Sequence, residues 1–120
     1  MAVAYAVLLA LVSLLPGSRL PTIPDWSRLF SPDKVAHFGA YALFALLLSA
    51  CTSERGRIGN TVYAVLAAAA YGALLEVLQG IAGTGRSYDP VDMAANALGA
   101  MLGGVVWLLF LSLKKFLRSR

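Results

Sequence analysis

"DPVDMAANALGAMLGGVVWLLFLSL", residues 89–113, decides the fold. From Met93 to Leu113 no side chain is charged. A helix of about 20 such residues spans the hydrocarbon core of a bilayer. Asp89 before Pro90 reads as an N-cap followed by proline at the first helical position. Asp92 then stands in the first turn, where a carboxylate complements the helix dipole. Asp89, Asp92 and Asn96 lie three and four apart and share a helix face. That face continues into Gly99 and Gly103, a GxxxG pair that lets a second backbone approach closely. Leu98, Val105, Trp107, Leu108 and Leu109 are then expected to face lipid.

Two more stretches have the same character. Residues 35–53 and 58–75 are long apolar runs, and residues 2–15 form a shorter one. The expected class is therefore all-α: a polytopic membrane protein with a small bundle of four transmembrane helices, the first one short. Composition agrees, with 59% hydrophobic residues and 13% charged against about 25% charged in a soluble domain. Period-two alternation is absent, which argues against a membrane β-barrel. The first segment has no basic residue ahead of its apolar run and no A-x-A-like site before the prolines, so it is expected to be retained rather than cleaved. One domain over residues 1–120 is expected, with its motif-bearing core at 33–113. Cys51 is the single cysteine, which excludes an intrachain disulfide. It reads as a small residue near a helix end.

The connectors differ in chemistry. Residues 16–32 hold four of the five prolines and cannot continue either neighbouring helix. Trp26, Leu29 and Phe30 in this stretch are spaced to lie along a membrane interface. Residues 54–57, "ERGR", read as a tight polar hairpin, and residues 80–90 as a glycine-rich loop carrying Arg86. Four spans put both termini on one side with the 54–57 loop. That side holds Arg55, Arg57, Lys114, Lys115, Arg118 and Arg120, and the opposite side holds Arg19, Arg28, Lys34 and Arg86. The basic excess predicts cytoplasmic termini. The net charge of +4 reads as membrane orientation, because no nucleic-acid motif accompanies it.

Polar residues gather at three helix ends on one membrane face. Lys34, His37 and Tyr41 form one row, Glu76 and Gln79 a second with Gly72 one turn deeper, and Asp89, Asp92 and Asn96 the third. Each has a structural reading: Asp33 and Asp89 as capping residues, Lys34 snorkelling, His37 as a packed and bonded side chain, Asn96 as an interhelical bond. Glu76 is harder to explain locally. It follows a long apolar run with no basic neighbour in sequence, and an intramembrane carboxylate needs a partner or a function. Arg86 or Lys34 is its expected counter-charge.

The ordered pattern D-K-x-x-H-x-x-x-Y, E-x-x-Q and R-x-x-D-x-x-D-x-x-x-N-x-x-G-x-x-x-G, over residues 33–103, resembles the VanZ-like family of bacterial membrane proteins. On this chain it falls on Asp33, Lys34, His37, Tyr41, Glu76, Gln79, Arg86, Asp89, Asp92, Asn96, Gly99 and Gly103. The resemblance implies a location in the bacterial cytoplasmic membrane. It also links the family to low-level resistance to the glycopeptide teicoplanin, through a mechanism that is unsettled.

Three functions follow as expectations. The first is binding of a membrane lipid or a lipid-linked cell-envelope polar group at the extracytoplasmic face, through Lys34, His37, Tyr41, Glu76, Gln79, Arg86, Asp92 and Asn96. The second is a membrane-embedded enzyme with His37, Glu76 and Asp92 as candidate acid and base groups. The third is a structural accessory subunit whose polar network locks its helices. No dedicated cofactor is expected, although the carboxylates suit a divalent cation. A thin bundle also suits a homo-oligomer or a larger membrane partner, and no nucleic-acid partner is expected.

Overall fold

Four helices and one short turn organise the chain in a computed structural model that describes residues 1–20, 24, 31–52 and 58–120. They are α1 (Ala2–Leu14), a 3₁₀ turn (Gly17–Arg19), α2 (Pro32–Thr52), α3 (Ile58–Ile81) and α4 (Pro90–Arg118). Helices α2, α3 and α4 are long and apolar enough to cross a membrane. At 1.5 Å per residue, the 13 residues of α1 reach only about 20 Å, short of the roughly 30 Å hydrocarbon core. The interface residues Trp26, Leu29 and Phe30, Arg28 and the 54–57 hairpin lie outside the described residues.

Each long helix runs past its apolar stretch. Helix α2 begins at Pro32, with the Lys34 N–H 3.4 Å from the Ser31 hydroxyl oxygen. Ser31 therefore supplies the cap oxygen, and Asp33, expected to cap, stands instead in the first turn. Helix α3 continues to Ile81 and carries Glu76 and Gln79 inside it. Helix α4 starts as its sequence predicts: Asp89 is the N-cap and accepts the Val91 N–H at 2.8 Å, with Pro90 next. Its basic last turn holds Lys115 and Arg118.

Small residues set the packing. A Cβ on Gly99 would run into the Phe38 carbonyl, and one on Gly103 into the Ala42 carbonyl. The GxxxG pair thus seats α4 directly on the backbone of α2. Gly104 faces Val65 on α3, and Gly72 of α3 faces Tyr41 and Asn96. The buried core is correspondingly thin: Tyr41, Phe44, Ala45, Ala68 and Ala100, edged by Tyr5, Leu9, Val65 and Tyr71. In lipid such closeness matters more than apolar burial, because no hydrophobic force drives helix against helix there. Leu98, Val105 and Leu109 are exposed, as a lipid-facing side requires, whereas Trp107 and Leu108 are half-buried. The Trp107 ring packs on Phe110 at 5.4 Å between centroids.

Helix α1 is attached by side chains that reach across to backbone carbonyls. The Tyr5 hydroxyl donates to the Ala40 carbonyl at 3.0 Å, and the Tyr71 hydroxyl donates to the Ala6 carbonyl at 2.6 Å. At its C-terminal end, where helix carbonyls lack intrahelical partners, Ser13 accepts from Gln79 Nε2 at 2.6 Å. The turn after α1 is tied to the loop before α4, with the Gly17 N–H donating to the Thr84 carbonyl at 3.1 Å.

Candidate functional site

The N-terminal end of α2, the C-terminal end of α3 and the N-terminal end of α4 meet around His37. Its Nδ1 lies 2.9 Å from Asn96 Oδ1 and 3.8 Å from Glu76 Oε1. Its Nε2 lies 3.8 Å from Asp33 Oδ2 and 3.9 Å from Asp92 Oδ2. Four polar side chains from three helices therefore surround one imidazole. Lys34, one turn nearer the membrane surface, donates to Asp89 Oδ2 at 3.3 Å and stands 3.5 Å from Asp92 Oδ1. Arg86, on the loop, stands 3.8 Å from Asp33 Oδ1 and reaches the Ser13 carbonyl at 3.4 Å.

Charge and burial set the character of this cluster. Glu76, Asp92 and Asn96 are buried. Glu76 Oε2 and Asn96 Nδ2 lack hydrogen-bond partners among the described residues, and Asp92 Oδ1 has only its ion pair with Lys34 at 3.5 Å. Buried polar atoms are normally satisfied, so two orphans in one cluster point to something that completes it. At the rim, the Val91 N–H holds the Asp89 carboxyl below the usual carboxylate range, and the Lys34 ammonium adds to the effect.

A cavity of about 300 Å³ opens beside the cluster, between α1 and α2. Its walls include Leu9, Val12, Ala36, Ala40 and Tyr41, and its polar end carries Asp33, His37 and Arg86. Because α1 and α2 run antiparallel, Leu9, Ala40 and Tyr41 lie deep while Ser13, Asp33 and Arg86 lie near the membrane surface. The space is apolar inside and charged at its mouth. A group with an apolar tail and a polar head would match that gradient. Arg86 is suited to the head, since its guanidinium offers five N–H donors and donates one hydrogen bond, to Ser13, among the described residues.

Several sequence expectations change here. Glu76 does not face Arg86 or Lys34; it faces His37. The helical register explains this, because His37 stands one turn deeper than Lys34, at the level of Glu76, while Arg86 stays on the loop. Gln79 is spent on holding α1. Lys34 is engaged by two carboxylates and does not line the cavity. Asp33 and Asp89, expected to cap, carry ion pairs with Arg86 and Lys34, and of the two only Asp89 caps as well. The part of α1 was missed entirely. Its contribution is a wall of ordinary aliphatic side chains and a set of backbone carbonyls, neither of which leaves a mark in sequence.

A family model described as VanZ/LLP1 matches residues 2–111, from α1 through most of α4. No curated protein and no solved structure matches the chain.

Proposed function

The chain belongs to the VanZ/LLP1 family, and from that premise we propose that this integral membrane protein binds an amphiphile of the cell envelope. The apolar part would lie in the cavity between α1 and α2, and the anionic head would meet Arg86 and His37. The observation that carries the reading is the cavity itself, apolar at Leu9, Val12 and Ala40 and polar at Asp33, His37 and Arg86. Its volume sits at the lower end of ligand pockets, about 300–1,000 Å³. It suits a head with the first stretch of a chain rather than a whole lipid. Lys34, Glu76, Asp92 and Asn96 would then hold His37 and the helix ends in place. Tyr41 would line the deep wall, and Gln79 would keep α1 closed over the ligand. In the bacterial cytoplasmic membrane, with basic termini inside, the cluster would face outward. A lipid or lipid-linked envelope precursor is the chemistry found at that face. A contribution to teicoplanin resistance belongs to the proposal through the family resemblance alone.

A second reading rests on His37, which lines the cavity while Asn96 fixes its far nitrogen. That arrangement orients an imidazole for proton transfer to a bound group, with Asp92 or Glu76 as the partner carboxylate.

Native mass spectrometry of the purified protein with its co-purifying lipids tests the binding. Arg86→Ala should lose the anionic species. Ala36→Leu, which fills the wall of the cavity, should lose bound lipid altogether. The same lipid set in both variants and the parent would reject the reading. A fall in the amount of folded protein, with lipid per molecule unchanged, would favour a purely structural cluster.

A further inference from the structure

An anionic head placed at this cluster meets a charge problem. Four carboxylates, Asp33, Glu76, Asp89 and Asp92, stand against two permanent cations, Lys34 and Arg86. With all four ionised and His37 neutral the sum is −2. Two of the carboxylates, Glu76 and Asp92, are buried, where uncompensated charge is costly. Adding an anion raises the imbalance unless a cation arrives with it.

The geometry shows where that cation fits. Asp33, His37 and Asp92 each present one ligand atom, and these atoms lie within 4.8 Å of one another. Nδ1 of His37 faces the carbonyl oxygen of Asn96 at 2.9 Å, so in the neutral ring Nδ1 carries the hydrogen and Nε2 presents its lone pair. That lone pair and two carboxylate oxygens then converge on one point as three acceptors without a donor. With the ring neutral such a set repels itself, and a cation between its members, or a proton on Nε2, relieves it. The Asn96 bond is also the usual support for a metal-binding histidine, whose second nitrogen donates to a neighbouring oxygen. The Asp92 side chain is 9% exposed; its Oδ1 pairs with Lys34 at 3.5 Å, while its Oδ2 faces His37 Nε2 at 3.9 Å.

We propose that Asp33, His37 and Asp92 bind one Zn²⁺ ion, and that the ion's open position takes the anionic head of the amphiphile. The second half rests on the proposed function; the three protein ligands stand without it. One imidazole and two carboxylates suit a first-row divalent ion better than Mg²⁺ or Ca²⁺, which prefer all-oxygen sets. Three protein ligands with a fourth position open to water or a ligand is the pattern of reactive zinc sites. Bonds of about 2.0–2.2 Å place neighbouring donors roughly 3.4 Å apart. The pairs at 3.8 and 3.9 Å must therefore close by about half an ångström, and the Asp33–Asp92 pair, within 4.8 Å, by up to about 1.4 Å. Asp33 can supply that movement, being 53% exposed in its side chain. A divalent ion brings the cluster from −2 to zero. Asp33 and His37 both line the cavity, so the fourth position opens where the head would lie.

His37 is the only histidine of the chain, which makes the imidazole a single spectroscopic probe. The protein is purified in detergent without a polyhistidine tag, stripped with a chelator, and titrated with Zn²⁺. Bound metal is counted by equilibrium dialysis and elemental analysis, and the ring nitrogens are followed by ¹⁵N NMR. One ion per chain is expected, with Nε2 shifting on metal binding and Nδ1 keeping its proton. Asp92→Asn should weaken binding at least about tenfold. Asn96→Ala, which touches no metal, should weaken it by about 10–100-fold. Circular dichroism of each variant checks that the helices persist, and Ser112→Ala at the opposite end of α4 should bind as the parent does. No stoichiometric zinc in the parent, or equal affinity in parent and Asp92→Asn, would overturn the site. Native mass spectrometry before and after chelation reads the second half. Anionic lipid lost on chelation and restored by Zn²⁺ supports the bridge, and lipid indifferent to metal overturns it while leaving amphiphile binding intact. Zinc bound by a protein that never retains lipid sinks the amphiphile reading instead and leaves the metal site standing.

Discussion

Replacing Gly99 by alanine adds one methyl where α4 rests on the backbone of α2. The new Cβ would overlap the Phe38 carbonyl oxygen and stand 2.9 Å from its carbonyl carbon and 3.0 Å from its Cα. These are backbone atoms of a helix, so no side chain can swing aside. Restoring an ordinary 3.4 Å to the carbonyl carbon requires the helices to part by at least half an ångström. A gap of that size along the seam forfeits a quarter or more of each dispersion well it crosses. Parting also lengthens the His37–Asn96 contact of 2.9 Å toward 3.4 Å, beyond good hydrogen-bond geometry. Overpacking of this kind costs about 1–3 kcal/mol. Alanine meanwhile gains roughly 0.5–1 kcal/mol of helix propensity over glycine, which would mask part of the loss. Gly39→Ala removes that ambiguity. It lies in α2, and a Cβ there meets nothing within 4 Å, so it takes the same gain without the clash. Unfolding in mixed micelles with increasing SDS, followed by far-ultraviolet circular dichroism, should place Gly99→Ala about 1–3 kcal/mol below Gly39→Ala. Equal stability of the two variants would refute the close seating of α4 on α2.

Other perturbations separate the parts of the site. Asp89→Ala removes the cap oxygen held by Val91 and should cost about 0.5–2 kcal/mol in the same unfolding assay. Because the folded Asp89 carboxyl lies below its ordinary range, its stabilisation is complete above about pH 4 and fades as pH falls through the folded value. Asp89→Ala should therefore show a flatter acid limb than the parent, and identical limbs would count against that role. Tyr71→Phe removes the donor to the Ala6 carbonyl, which keeps its helical bond, so a loss of about 0.5–1.5 kcal/mol is expected. Hydrogen exchange should quicken in α1 and stay unchanged in α4; uniform acceleration would mean that α1 is not separately held. Glu76→Gln keeps the shape of a side chain whose Oε2 has no hydrogen-bond partner, so stability should shift by less than about 1 kcal/mol while lipid retention falls. A stability loss of about 3–5 kcal/mol would show that the charge itself locks the helices.

Residue type and spacing alone determined much of this protein. Uncharged length gave the three spans, because backbone in a hydrocarbon core must satisfy itself as helix. Asp89-Pro90 gave the start of α4, and the four-residue interval from Gly99 to Gly103 gave its packing face. The rows Lys34–His37, Glu76–Gln79 and Asp92–Asn96 were visible because a helix repeats its face every three to four residues. Which row member meets which was not visible, since the relative height and rotation of two helices depend on how their surfaces seat. The tertiary structure therefore decided that Glu76 faces His37, that Arg86 faces Asp33, and that Gln79 holds the end of α1. It also decided that residues as plain as Leu9, Val12 and Ala40 enclose the space beside them. A cavity is a relation between surfaces, and no single segment of sequence carries it.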